Sequence, residues 1–283
     1  MVVARFIDEF VASCQNIQSI TIRNKDELLS VINISGCGRV KFLYLLCDNM
    51  TDTQFHHLLS KLPLLKELYV FHCYTLKAIK ISNPHLKTLV VSLIYKTSLE
   101  IVDIAALSLK SFIFAFDLFK PNSYRIKVAD YCHSLETLVL FKYFAIERAI
   151  YNLISKFPLL ENLWILGFPK LQRIRVPNLQ LKRLHFVGCL KLKAVKFDSP
   201  NLCEFSYTGH ELPEFAVVDM KASGGLKFEH ETSKFWSNTF LKMLVDIVRK
   251  ENRDLINTIY TFVHEHPYYK RRRRYHKNLR ACW

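Results

Sequence analysis

Read for hydrophobic and polar positions, the chain repeats one short motif, apolar-x-x-apolar-x-apolar. It starts at Ile17, Val40, Leu65, Leu86, Leu109, Leu135, Leu160, Leu181 and Leu202, at intervals of 21 to 26 residues. One match carries no weight in a chain that is 50% apolar, but a regular series does. Side chains alternate along an extended segment, so positions four and six of the motif face one way and positions three and five the other. Sliding the chain against itself gives the same answer. An offset of 95 lays residues 59–91 on 154–186 without a gap, matching Ser60 to Ser155, Pro63 to Pro158, Asn83 to Asn178 and Lys87 to Lys182. An offset of 116 lays Cys73, Leu76 and Lys77 on Cys189, Leu192 and Lys193. These offsets are close to four and five coils of about 23 residues, within the range of leucine-rich repeats.

The predicted fold is therefore α/β, a leucine-rich-repeat solenoid in which a curved stack of parallel strands forms one wall and a mixture of helices and strands the other. A second series predicts the outer strands: Leu76-x-x-Ile79-x-Ile81, Leu99-x-x-Val102-x-Ile104, Leu171-x-x-Ile174-x-Val176 and Leu192-x-x-Val195-x-Phe197. Turn signals at Asn83-Pro84, Pro177-Asn178 and Ser199-Pro200-Asn201 separate the two series. Helical spacing predicts helices over 2–14, 52–61 (opened by Thr51 or Asp52) and Ala145–Phe157. The expected organisation is an N-terminal capping helix in 1–16, an array of about nine coils over 17–210, a helical C-terminal cap over 211–266, and a basic, disordered tail over 267–283. The cap contains amphipathic patterns at 235–250 and 255–263.

Composition then narrows the function. Only 7 Gly leave little for phosphate-binding loops, and no apolar run approaches the roughly 18 residues that span a bilayer. The start of the chain lacks a secretory pattern, and eight scattered Cys show no metal spacing, so reduced thiols in the nucleus or cytoplasm are expected. Cys73 and Cys189 share the ninth repeat position and read as structural. No nucleophile elbow, phosphate loop or carboxylate pair is found, and neither His56-His57 nor His264-Glu265-His266 has a third spaced ligand. No enzymatic activity, cofactor or metal is expected.

The outward line of the inner strands is rich in apolar and aromatic residues. Its candidates for binding a protein partner are Tyr44, Tyr69, Trp164, Arg183 and His185, types common at binding hot spots. Packing between neighbouring strands is the competing explanation of the same residues. The formal charge is +15, and two acid-free segments carry all of it. Eight Lys and Arg lie between Leu163 and Phe197, and seven lie in the tail, which includes Lys270, Arg271, Arg272, Arg273 and Arg274. The tail has three readings: nuclear import, contact with nucleic acid or an acidic protein, or a solvated terminus. A nucleic-acid partner is not the expectation, and no membrane partner is expected.

The segment Leu58-Leu59-Ser60-Lys61-Leu62-Pro63-Leu64-Leu65-Lys66-Glu67-Leu68, its copy at 153–163, and Asn83-Pro84-His85-Leu86-Lys87-Thr88-Leu89 resemble the repeats of plant F-box proteins with leucine-rich repeats. The resemblance covers about residues 15–210, and Phe235-Trp236 leading into 241–244 is similar to the helix after the last coil in that family. It implies the target-recognition part of a cullin-based ubiquitin ligase receptor, with a protein substrate on the open face. A Skp1-like adaptor is implied only if an F-box precedes the array. The first coil is entered by Ile17 without room for that motif, and none is found later in the chain. The alternative is a free-standing interaction scaffold or sensor fragment with no ubiquitin role.

Overall fold

The structure is a computed structural model that describes residues 2–5, 9–11, 17–24, 31–33, 36–93, 98–116, 125–128, 132–142, 147–208, 214–217 and 227–228. In chain order the first elements are β1 (Val2–Arg5), β2 (Glu9–Val11), β3 (Ser19–Asn24), β4 (Val31–Asn33), β5 (Phe42–Cys47), α1 (Asp52–Ser60), β6 (Glu67–Phe71), β7 (Ala78–Ser82), β8 (Thr88–Leu93) and β9 (Ile101–Ala105). They are followed by β10 (Ser111–Phe116), β11 (Arg125–Val128), β12 (Thr137–Lys142), α2 (Glu147–Ile154), β13 (Asn162–Leu166), β14 (Arg173–Val176), β15 (Arg183–Val187), β16 (Ala194–Phe197), β17 (Glu204–Thr208), β18 (Glu214–Val217) and β19 (Lys227–Phe228).

Eleven of the strands form one parallel sheet in the order β1-β3-β5-β6-β8-β10-β12-β13-β15-β17-β19, which is the inner wall of a solenoid. The nine motif starts fall two residues ahead of β3, β5, β6, β8, β10, β12, β13, β15 and β17. Of the 27 inward positions those motifs name, 26 are buried, and Ile17 packs partly buried against the same core. No coil can bury its own apolar edge, so stacking on the next coil is what removes these side chains from water.

One backbone pattern carries the stack. The carbonyl of the residue ahead of each inner strand from β3 to β15 accepts two N–H groups from the next coil: Lys66 N and Glu67 N donate to Lys41 O, Lys87 N and Thr88 N to Lys66 O, Lys182 N and Arg183 N to Glu161 O. Thiols serve both walls, three bonding to inner strands and Cys132 to outer strand β9. Cys47 Sγ donates to Ile22 O, Cys73 Sγ to Phe71 O, Cys132 Sγ to Ile104 O and Cys189 Sγ to Ile165 O, all four buried.

The outer wall is divided. Its strands form three parallel sheets, β2-β4, β7-β9-β11 and β14-β16-β18, and the helices stand in the two gaps between them. α1 is opened by a capping box. Gln54 N donates to Thr51 Oγ1 at 3.2 Å while Thr51 N donates to Gln54 Oε1 at 2.9 Å, so Thr51 is the N-cap and Asp52 the first helical residue. All four outer strands read from the second motif series are present, with their twelve apolar positions buried.

Two expectations are corrected. Residues 2–5 and 9–11 are strands rather than a capping helix. The apolar spacing there fits either period, and β1 gains a full parallel register with β3, Val2 opposite Ile20 through Arg5 opposite Arg23. The array also passes residue 210. Within 211–266 the described residues are β18 and β19, which continue the outer and inner walls, and no helical cap is found among them. The amphipathic patterns at 235–250 and 255–263 and the tail at 267–283 lie outside the described residues.

Candidate protein-binding face

Parallel register turns each outward motif position into a row running across the inner sheet. The fifth-position row reads Thr21, Tyr44, Tyr69, Val90, Ile113, Val139, Trp164, His185 and Ser206. Tyr44 and Tyr69 are neighbours, and Trp164 and His185 are neighbours, but four strand steps of about 4.8 Å separate Tyr69 from Trp164. The five candidate residues therefore form two subsites, with Arg183 joining the second from the adjacent third-position row.

The first subsite is packed. Tyr44 and Tyr69 are each only 1% exposed. Tyr69 packs diagonally against Phe42 with ring centres 5.0 Å apart and planes tilted by 35°, and it donates its hydroxyl to Glu67 Oε2 at 2.8 Å. Tyr44 meets Phe71 at 5.2 Å, and the guanidinium of Arg23 lies 5.6 Å from the Tyr44 ring centre. This end of the face is less open than strand alternation alone predicts. Rungs at strand spacing bring large side chains of neighbouring rows into contact, and these aromatics pack diagonally between strands.

The second subsite is a polar network beside a stacked ring pair. Trp164 and His185 lie nearly parallel, 9° apart, with centres at 3.4 Å. His185 is buried, its Nδ1 3.0 Å from Ser206 Oγ and its Nε2 3.8 Å from Glu204 Oε1. Arg183 donates from Nη1 to Asn162 Oδ1 at 3.0 Å and pairs through Nε with Glu204 Oε2 at 3.4 Å. Asn162 donates in turn to Thr137 Oγ1 at 3.1 Å. Four strands are thus tied through side chains, and Trp164 is half-buried. Arg183 and Glu204 keep side-chain exposures of 41% and 38%. Asn162, Glu204 and Ser206 share the outward rows with the candidates, but a row alone does not reveal which members will pair.

His72 was not singled out by the sequence. It has φ 56°, a left-handed backbone, at the end of β6, and the residues 95 and 116 positions later are Gly167 (φ 69°) and Gly188 (φ 65°). The repeat thus requires a left-handed turn that glycine adopts without strain and histidine does not. Its Nδ1 lies 4.0 Å from Asp48 Oδ1, and its ring packs on Tyr74 at 5.4 Å.

Among the described residues no group of three or more His, Cys, Asp and Glu is placed to hold a metal ion, and no helix is long and apolar enough to cross a membrane. A cleft of about 470 Å³ beside α1 is lined by His56, Leu59, Pro63, Lys80, Asn83 and His85. Burial pushes the Cys189 thiol up to about 12 against a hydrogen bond from the Phe168 backbone, and it raises the Cys73 thiol well above its ordinary value, helped by neighbouring Cys47 and Asp48. These sulfurs are inert structural groups rather than nucleophiles.

Residues 119–251 match the family model described as At1g61320/AtMIF1, LRR domain, of a plant protein family. No curated protein and no solved structure matches the chain. The match begins between β10 and β11 and takes in every later element of the array.

Proposed function

We propose that this leucine-rich-repeat protein is a binding module that holds a protein partner on the inner-sheet face around Trp164, Arg183 and His185. One observation supports the reading above others: an accessible Arg183 is fixed between Asn162 and Glu204 beside a stacked Trp164–His185 pair. Arg and Trp are the side chains that most often dominate binding energy, and groups already held in place lose less entropy when a partner docks. Tyr44 and Tyr69 belong to the same face, where their role in binding is to hold its other end in shape.

The test compares proteins captured from cell extract by wild type, Trp164→Ala, Arg183→Ala and an outer-wall control, Lys80→Ala. Partners lost with the first two variants and kept by the control support the face. An unchanged set of partners overturns it.

A finer form of the reading makes the array the target receptor of an F-box type ubiquitin ligase working in the nucleus or cytoplasm. Its support is the resemblance of the repeats to that family. Mixing the full chain with a purified Skp1-like adaptor tests it, and absence of a complex leaves the free-standing scaffold. In either form the protein holds its partner and does not transform it, as expected of a leucine-rich-repeat scaffold.

A further inference from the structure

The acid-free stretch between Leu163 and Phe197 is divided by the fold. Arg183 faces the inner side and Lys182 pairs with Glu161 at 2.7 Å, while the other six cations stand on or beside the outer strands β14 and β16. Arg175 and Lys196 are exposed and directly opposite each other on those strands. The matching rung of the upstream outer sheet, 95 residues earlier, holds Lys80 opposite Asp103, the arrangement a solvated wall ordinarily adopts. Like charges face to face on neighbouring strands are destabilising. Asp198 relieves Arg175 alone, at 3.2 Å. Among the described residues Arg173, Lys193 and Lys196 have no ion pair, and Glu214 registers beside Ala194.

We propose that the β14–β16 outer wall is a second binding surface, which takes an acidic segment of a partner protein in extended conformation along the strands. Arg173 and Arg175 are two residues apart on one face of β14, which sets their spacing at about 6.6–6.8 Å. An extended peptide with an acid at every second residue presents carboxylates at the same pitch, and a guanidinium binds a carboxylate through two parallel hydrogen bonds. Lys196 supplies the adjacent strand's cation about 4.8 Å from Arg175, and exposed Lys193 stands just ahead of β16. Single-stranded nucleic acid fits less well. The exposed residues of this wall are Lys, Arg and Gln, with no aromatic ring on which a base would stack.

The full chain is titrated with a fluorescent peptide of about eight residues alternating Glu and Ser, with its Gln and Ser counterpart, and with a single-stranded oligonucleotide of similar length, each at two salt concentrations. Wild type binds the acidic peptide in preference to both. The triple variant Arg173→Gln, Lys193→Gln, Lys196→Gln weakens it roughly tenfold or more, since three cations that share one acidic partner are lost together. Removing equal charge from the exposed rim, with Lys41→Gln, Lys66→Gln and Lys87→Gln, weakens it less than about twofold, since those lysines stand outside this wall. Arg173→Lys keeps the charge but gives up the bidentate pair, so it weakens binding by less than the triple variant does, and thermal melts establish that all variants fold. Equal losses from both triple variants overturn the proposal, because they reduce it to net charge. Preference for the oligonucleotide overturns it as well, because the wall is then a phosphate surface. Trp164→Ala leaves this binding unchanged, which separates the result from that of the inner face.

Discussion

Asp52 and Glu147 stand 95 residues apart and terminate the same kind of sheet edge. Asp52 Oδ1 accepts the N–H groups of Lys77 at 2.9 Å and Ala78 at 3.2 Å, where β7 begins. Glu147 Oε1 accepts those of Gln172 at 3.1 Å and Arg173 at 2.8 Å, where β14 begins. In coils whose outer element is a strand, a backbone carbonyl takes this place: Glu100 N and Ile101 N donate to Lys77 O, and Lys193 N and Ala194 N to Gln172 O. A helix has no carbonyl to offer there, so its first carboxylate substitutes for one and closes an edge that would otherwise carry unpaired donors.

Replacing either acid by Ala is expected to cost about 1–2 kcal/mol, the value of partly exposed charge-assisted bonds. Asp52→Asn keeps an acceptor and costs less. Four coils separate the two acids, so the double variant should be additive within about 0.5 kcal/mol in urea unfolding. A clear excess loss in the double variant rejects independent edge closure.

The two matching turn asparagines differ in a way that orders their effects. Asn178 is buried and donates Nδ2 to Phe157 O at 2.6 Å, while Oδ1 accepts from Gln180 N at 3.0 Å. Asn83 makes the same turn, but its Nδ2 sits 3.4 Å from Leu62 O and 3.5 Å from Pro63 O, near the surface. Asn178→Ala removes a short buried bond and leaves Phe157 O with the Leu160 N–H at 3.2 Å, so it is expected to cost about 1–2 kcal/mol. Asn83→Ala should cost no more than about 1. Denaturant midpoints check the order, and equal losses contradict it.

At the left-handed turn, Gly167→Ala and Gly188→Ala are each expected to lose about 1–2 kcal/mol. His72→Gly relieves that strain while removing the ring packed on Tyr74, so its net change should stay within about 1 kcal/mol. A loss above about 2 kcal/mol shows instead that the His72 side chain holds the turn together.

Thiol chemistry follows burial. Among the described cysteines Cys203 is exposed and the others are buried. Alkylation of native protein, read by mass spectrometry, should modify Cys203 first and spare Cys73 and Cys189. Burial raises the Cys73, Cys132 and Cys189 thiols, so the unfolded chain loses these protons at lower pH than the folded one. Their contribution is complete below the ordinary thiol value of 9.0 and is lost as pH rises toward about 12, the Cys189 value. Unfolding free energy should therefore fall across that alkaline range, less steeply in a Cys189→Ala variant compared with its own neutral value.

The inner wall was legible because every coil restates it: Leu43, Leu68, Leu89 and Leu163 answer the same spacing and are all buried. The first and last inner strands were not, since β1 and β19 each show only part of the motif, Val2 and Ala4 in one and Phe228 in the other. The binding face was legible as rows but not as contacts. Tyr69 and Arg183 look equally available in the sequence. Tyr69 is packed on Phe42, and its loss should cost about 3–4 kcal/mol in folding, as for other buried aromatics. Arg183 is accessible, so its replacement reads binding with little effect on stability. Alternation fixes which side a residue faces. It carries no information on how far a neighbour's ring reaches across.

The two helices give the chain a larger unit than its repeat. From Asp52 to Glu147 lie four coils whose outer wall begins with an acid-capped strand and ends where the next helix restores a carboxylate in the same place. Such a block can be duplicated or excised whole, because the cut joins Thr51 to a helix that begins with a carboxylate and leaves the start of β14 with its acceptor. A chain joining Thr51 directly to Glu147 would be a shorter solenoid with the same boundary chemistry. Its length is thus a quantity that recombination can change in steps of 95 residues without inventing a new end.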